Sequence, residues 1–207
     1  MKQFFLLCTL LCSQLFSVDT TIVKVTSMER PIPTFKGGNV LDGSMKSRWS
    51  SKFEDHQELK IVLPKALLIE SIEIHWEASY AKHYKIKTSE DKKKWSLVHV
   101  QKDKTDSKKD LIKLKEAKKV QYINFDLVKR GTQYGFSIFE IKLNGKKLKD
   151  FLALNGIDNF HVESIIIGAN KKVDEQNKVE QKTSKSKESP KPKSPPKSKK
   201  TDDFIYI

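Results

Sequence analysis

Apolar and polar positions alternate in short runs through most of this chain, the period-two signature of half-buried strands and not the 3.6-residue period of a helix. Thr20 to Thr26 reads as a first strand. Leu59 to Leu63, Ile69 to Trp76, Lys82 to Thr88, Trp95 to Val100, Leu111 to Leu114, Val120 to Leu127 and Ser137 to Leu143 follow as further candidates. Within Ile69 to Trp76, Ile72, Ile74 and Trp76 share one face while Ser71, Glu73 and His75 share the other, so His75 is expected to be a solvated strand residue. Ser27 to Gly38, with Pro31, Pro33, Gly37 and Gly38, reads as loop. Ser89 to Lys94 is a polar turn and Gln101 to Asp110 a charged loop, their lysines most simply a solvated surface. Many short strands without a convincing helix between them predict an all-β protein, an antiparallel β-sandwich or jelly roll.

The alternation stops at Asn144-Gly145. Phe151 to Ile157 and Phe160 to Ile167 are apolar enough to pack as a hairpin or short helix on the sandwich, so residues 147–170 are expected to be an extension on or beside a domain spanning 18–146. From Lys171 hydrophobic periodicity is lost, and Lys182 to Lys200 repeats Lys, Ser and Pro. Such a segment buries too little apolar surface to offset an ordering entropy of about 1–2 kcal/mol per residue, so 171–207 is expected to be a disordered tail. Phe204-Ile205-Tyr206-Ile207 turns apolar again, as a docking tag, a sorting signal or an added edge strand.

At the other end, Met1-Lys2-Gln3, the apolar run Phe4 to Leu11 and Cys12 to Ser17 have the basic, apolar and small-residue order of a secretory signal, which places residues 1–17 in a signal peptide and the protein outside the cell or on its surface. The run is too short for a bilayer span, which needs about 20 residues. Cys12 is also a candidate for lipid attachment, although Leu11 departs from the usual small residue before it. Both cysteines, Cys8 and Cys12, lie in this segment, so the mature chain would hold no disulfide.

The chain of 207 residues has room for one core, and its 40 basic and 26 acidic residues give a net charge of +14. That excess makes sulfated or other anionic polymers plausible partners of the tail, by long-range attraction and counterion release. No specific nucleic-acid recognition is expected. A solvated spacer explains the tail equally well.

Three ordered islands narrow the picture. Asp42-Gly43-Ser44-Met45-Lys46-Ser47-Arg48-Trp49-Ser50-Ser51 resembles the D-G-x-x-x-T-R-W-S-S element of discoidin-like domains. Lys129 to Glu140 resembles their K-R-G-T-x-Y-G-[YF]-S-[IL]-x-E element, and Trp76, Glu77, Tyr80, Ala81, Tyr84, Ile86, Ser89, Asp91 and Trp95 fit the pattern between. The family, also called coagulation-factor C-type or galactose-binding-like and including carbohydrate-binding module family 32, is similar over residues 20 to 146. The absence of a disulfide between the domain's ends favours its microbial, sugar-binding side.

The resemblance implies a structural calcium held by Asp42, Ser47 and Glu140, with Ser47 in place of a threonine. Residue chemistry alone also allows an Asx-type turn at Asp42 with a Glu140 salt bridge to Arg48 or Arg130. Arg48-Trp49 and Lys129 to Thr132 are then architectural, with Trp49 a core plug. Sugars need flat aromatic faces and planar polar groups. The loops Lys52 to His56, Trp76 to Tyr80 and Gln133 to Phe136 supply both, with Phe53, His56, Glu77, Tyr80 and Tyr134 as favoured contacts.

No nucleophile elbow, zinc-protease helix, phosphate loop or dinucleotide fingerprint occurs, and carboxylate pairs such as Glu70/Glu73 or Asp55/Glu58 are commonplace in so charged a chain. The sequence therefore reads as a secreted, non-enzymatic glycan-binding module. Two alternatives stand beside it. One is a membrane or protein adhesion module, with Phe53, Met45 and Phe136 as its candidate spikes, and the other is a structural wall or coat protein anchored by its tail.

Overall fold

The computed structural model describes residues 18–167; the expected signal, the tail and the last residues of the extension lie outside them. Eight strands form the domain: β1 (Asp19–Val25), β2 (Trp49–Ser50), β3 (Gln57–Trp76), β4 (Ala81–Ser89), β5 (Ser96–Gln101), β6 (Asp110–Arg130), β7 (Ser137–Leu143) and β8 (Phe160–Ile166). Two short 3-10 helices, Pro33–Phe35 and Gly37–Leu41, lie between β1 and β2, and one short α-helix, α1 (Leu148–Ala153), precedes β8 among the described residues and buries Leu148, Phe151 and Leu152.

Two strands organise the sandwich. β3 and β6 are 20 and 21 residues long, and each passes through both layers. Gln57 to Val62 of β3 pairs with Leu127 to Tyr122 of β6. After a register break, Leu67 to Ile74 pairs with Val120 to Asp110. One layer runs β8-β1-β3-β6-β4-β5 and the other β2-β7-β3-β6, joined by these two bent strands.

The bends explain why the sequence pattern splits each long strand in two. Pro64 to Leu68 and Lys115 to Lys119 fall between strand candidates in the sequence pattern, yet the backbone runs through both inside continuous strands, with bulges at Leu63–Ala66 and Leu114–Ala117. Proline is tolerated at such a break because no ladder donor is needed there.

The inward faces meet in one core, whose fully buried members include Trp49, Leu59, Ile74, Ile123, Phe125 and Phe136. Trp49 is a plug, its indole N–H donating to the Ser27 carbonyl at 3.0 Å. Among the described residues all inter-strand pairings but one are antiparallel: β8 runs parallel to β1, from Asp19 opposite Phe160 to Val25 opposite Ile166.

The alternating face of β3 needs one correction. Glu73, expected in solvent, is only 8% exposed, and it hydrogen-bonds His75, which is itself partly buried. Lys109 and Lys142 lie 3.6 and 3.5 Å from its carboxylate. Burial opposes its charge, but His75 and the two ammonium groups hold its pKa below the ordinary glutamate value.

Candidate functional site

Because β3 and β6 each leave one end of the sandwich, bend at the other and return, the loops before and after them share an end. Ser51–His56 enters β3, Glu77–Tyr80 leaves it, and Gly131–Phe136 follows β6.

Backbone contacts lock the three loops together. Two hydrogen bonds tie Ser51 to Phe136, one main chain to main chain from Ser51 N–H to the Phe136 carbonyl at 2.9 Å and one from Phe136 N–H to the Ser51 side-chain Oγ at 2.8 Å. Ser137 N–H donates to the Ser79 carbonyl at 2.7 Å, and Gly131 N–H to the Tyr80 carbonyl at 2.9 Å. Two glycines make the approach possible. A Cβ on Gly135 would lie 2.4 Å from the Ser51 carbonyl oxygen, and one on Gly131 2.3 Å from the Tyr80 ring.

Asp55 is the electrostatic clasp. Its Oδ1 accepts from the Arg130 main chain at 3.0 Å and from Arg130 Nε at 3.1 Å, while its Oδ2 accepts from Lys129 Nζ at 2.8 Å. Partial burial works against ionisation, but these donors outweigh it and hold the carboxyl far below the usual range. Arg130 Nη1 also donates to the Gln133 and Tyr134 carbonyls, at 3.0 and 3.3 Å. Sequence reasoning missed this residue; the only signal was a carboxylate in the loop facing a motif that opens with Lys-Arg.

The clasp sets Phe53 against Tyr134, edge to face with ring centroids 5.7 Å apart. Both remain half exposed, at 50% and 52%. Tyr80 is partly buried over Gly131, which makes it a wall of the rim. Glu77 turns back to accept the Ser79 N–H at 3.2 Å, and His56 is exposed with φ of 58°. These two join the rim by loop placement alone. Phe136, a candidate membrane spike by sequence, is fully buried and is corrected to a core residue, because the Ser51–Phe136 bonds draw it inward; Met45 is 53% exposed.

Beneath the rim a second partly buried carboxylate was also missed. Asp110 Oδ2 accepts from Trp76 Nε1 and Tyr84 OH, each at 2.7 Å, and Oδ1 from Lys104 Nζ at 2.8 Å. Buried aromatic polar tips need such a partner. Burial first and Asp110 second raise the Tyr84 pKa well above its ordinary value.

The other predicted cluster is also drawn together. Ser47 Oγ donates to Asp42 Oδ2, and Gly43 N–H donates to Glu140 Oε2 at 3.0 Å across 97 positions of chain. Glu140 is 1% exposed, and its Oε1 has no hydrogen-bond partner. Desolvation, with the Asp42 charge assisting, pushes its pKa up to about 7 against the Gly43 hydrogen bond and the Lys147 and Lys142 charges. Asp42 does form an Asx turn, Oδ1 accepting the Ser44 N–H at 2.8 Å. No arginine pairs with Glu140 among the described residues: Arg48 lies 4.6 Å over the Phe35 ring and Arg130 serves Asp55. A buried carboxylate with an unengaged oxygen beside a second carboxylate and a hydroxyl fits a hard cation by donor chemistry. No group of three or more His, Cys, Asp or Glu suited to a metal exists among the described residues, so main-chain carbonyls would have to complete such a shell.

Together, the bent-strand sandwich and the three-loop rim define a jelly-roll recognition domain. The pattern of the F5/8 type C domain matches residues 24–141, and the chain belongs to that family. The structure is similar to chitosan-binding module 1 from a chitosanase/glucanase of Paenibacillus sp. IK-5, at 28% identity and a TM-score of 0.54, over 59% of this chain and 93% of that one. Module 2 of the same enzyme, solved with chitotriose, is 26% identical with a TM-score of 0.54, over 59% of this chain and 95% of that one. The family 32 module of Clostridium perfringens NanJ, solved with galactose, shares the fold at 19% identity and a TM-score of 0.52, over 59% and 92% of the two chains. No curated protein matches the chain. No helix among the described residues is long and apolar enough to cross a membrane.

Proposed function

We propose that this protein is a secreted, non-catalytic glycan-binding module whose sugar site is the rim. The observation that carries the reading is the exposed Phe53–Tyr134 pair, held in place by Asp55 and Arg130. Tyr134 and Phe53 offer apolar ring surface to a sugar's C–H face, while His56, Glu77 and Gln133 supply polar groups for its hydroxyls. Tyr80 shapes the wall. Similarity to chitosan-binding modules at 26% and 28% identity supports a glycan ligand.

Asp55 is kept ionised by two cations, which suits it to hold a loop and not to donate a proton. Calcium, held by Asp42, Ser47 and Glu140, would neutralise the buried Glu140 and the exposed Asp42 carboxylates and fix the Leu41–Arg48 segment. The basic stretch beyond residue 170 adds attraction for anionic polymers. Burial of Phe136 leaves the membrane-adhesion alternative with fewer spikes.

A glycan array on the full chain, spanning chitooligosaccharides and galactosides with and without calcium, tests the proposal. Binding that is weakened in Phe53→Ala and in Tyr134→Ala is the expected result. Failure to bind any sugar, or binding untouched by both substitutions, would sink it.

A further inference from the structure

The end of the sandwich opposite the rim is made by the Ser89–Trp95 turn and the two strand bends, and its charge is unbalanced. Lys94 from the turn meets Lys118 and Lys119 from β6 around a cleft of about 350 Å³, which Ser96 and Glu116 also line. The acids nearby are largely engaged. Asp91 accepts the main-chain N–H of Lys93 at 2.8 Å and of Lys94 at 2.9 Å, and Glu116 lies 3.7 Å from Lys118. Glu90, exposed on the same cleft, is the remaining carboxylate there. Lys92, Lys93, Lys94, Lys113, Lys115 and Lys119 are exposed and form no ion pair among the described residues.

Clustered ammonium groups repel one another within a Debye length of about 8–10 Å, and an anionic polymer turns that repulsion into attraction while releasing counterions. Trp95, 39% exposed, follows Lys94 directly and has its indole N–H fixed to the Lys92 carbonyl at 3.1 Å. A flat aromatic, a cleft with room for a sugar ring and dispersed point charges suit a charged polysaccharide. A bilayer surface would not enter the cleft, and the end carries no arginine fork for bidentate phosphate.

We propose that this end is a second binding site, independent of the rim, for a polysaccharide bearing sulfate or carboxylate groups. The test uses the full chain and two charge-matched triple variants. One is Lys94→Gln, Lys115→Gln and Lys119→Gln; the other is Lys191→Gln, Lys193→Gln and Lys197→Gln. Binding to heparin, polygalacturonate, neutral dextran, single-stranded DNA and phosphatidylserine vesicles is measured across salt, and thermal melts confirm that both triples stay folded.

The expected outcome is binding to heparin or polygalacturonate and not to dextran, weakened about tenfold by the first triple. Its slope of log affinity against log salt becomes shallower by about 2, as loss of three contacts implies. Phe53→Ala leaves this binding unchanged. The proposal is overturned if neither anionic polysaccharide binds, if the first triple has no effect or no more effect than the second, or if DNA or vesicles bind more tightly than both polysaccharides. Loss with Phe53→Ala overturns the independence from the rim.

Discussion

The two ends of the sandwich treat charge in opposite ways. At the rim, Lys129 and Arg130 are both committed to Asp55, and the Phe53–Tyr134 pair faces solvent beside polar side chains of the loops. At the far end, exposed lysines on the β4–β5 turn and on β6 stand without carboxylate partners. Cations used as internal ties build a shape, whereas cations left free build a field. A chain with net charge +14 can therefore carry one surface that recognises by contact and another that recognises by electrostatics.

The strongest challenge to this contrast is Gly135→Ala. The new methyl would meet the Ser51 and Lys52 carbonyl oxygens at 2.4 and 2.7 Å, so a loss of about 3 kcal/mol in stability is expected, together with loss of rim binding. Chemical denaturation measures it. A near-neutral effect would mean that the loops are not locked as described.

Next comes Glu140, whose pKa rises on folding from 4.5 to about 7. The folded state then holds more protons than the unfolded one between those values, so stability falls as pH rises through that window, by about 3 kcal/mol in all. Melts in chelator from pH 4 to 8 should show the decline, and calcium should reverse it mainly at the upper end. Glu140→Gln should remove both effects. A decline of equal size in that variant would assign it to another group.

Phe53→Ala and Tyr134→Ala should each weaken sugar binding by about 1–2 kcal/mol, roughly five- to thirtyfold, while stability moves by less than about 0.5 kcal/mol. Titration calorimetry separates the two readouts. The smallest effect is expected for Lys119→Gln alone, which should shift stability by no more than about 0.5 kcal/mol. Raising salt should leave rim binding intact and erode anything held at the far end.

Much of the fold was legible because its signals are local. Period-two alternation marked the sheet segments, and the Trp49 and Lys129–Glu140 islands marked loops that the structure brings to one end of the sandwich. Long-range pairing was not legible. Whether Leu63–Ala66 is a turn between strands or a bend within one depends on β6 following it, and nothing local distinguishes the two. The parallel seat of β8 on β1 is similarly a tertiary choice. Glu73 fooled the alternation rule because Lys109, in the loop just before β6, and Lys142 of β7 cover it. At the site, residue type flagged Phe53 and Tyr134, but their edge-to-face contact rests on Asp55, an acid that no local pattern singles out.

The continuity of β3 and β6 through both layers has a mechanical consequence. The layers cannot be peeled apart like two stacked cards, because two covalent backbones would have to straighten first. Opening one layer should therefore drag on the other, and native-state amide exchange at Leu59–Val62 and at Ile72–Trp76 should report a shared opening event.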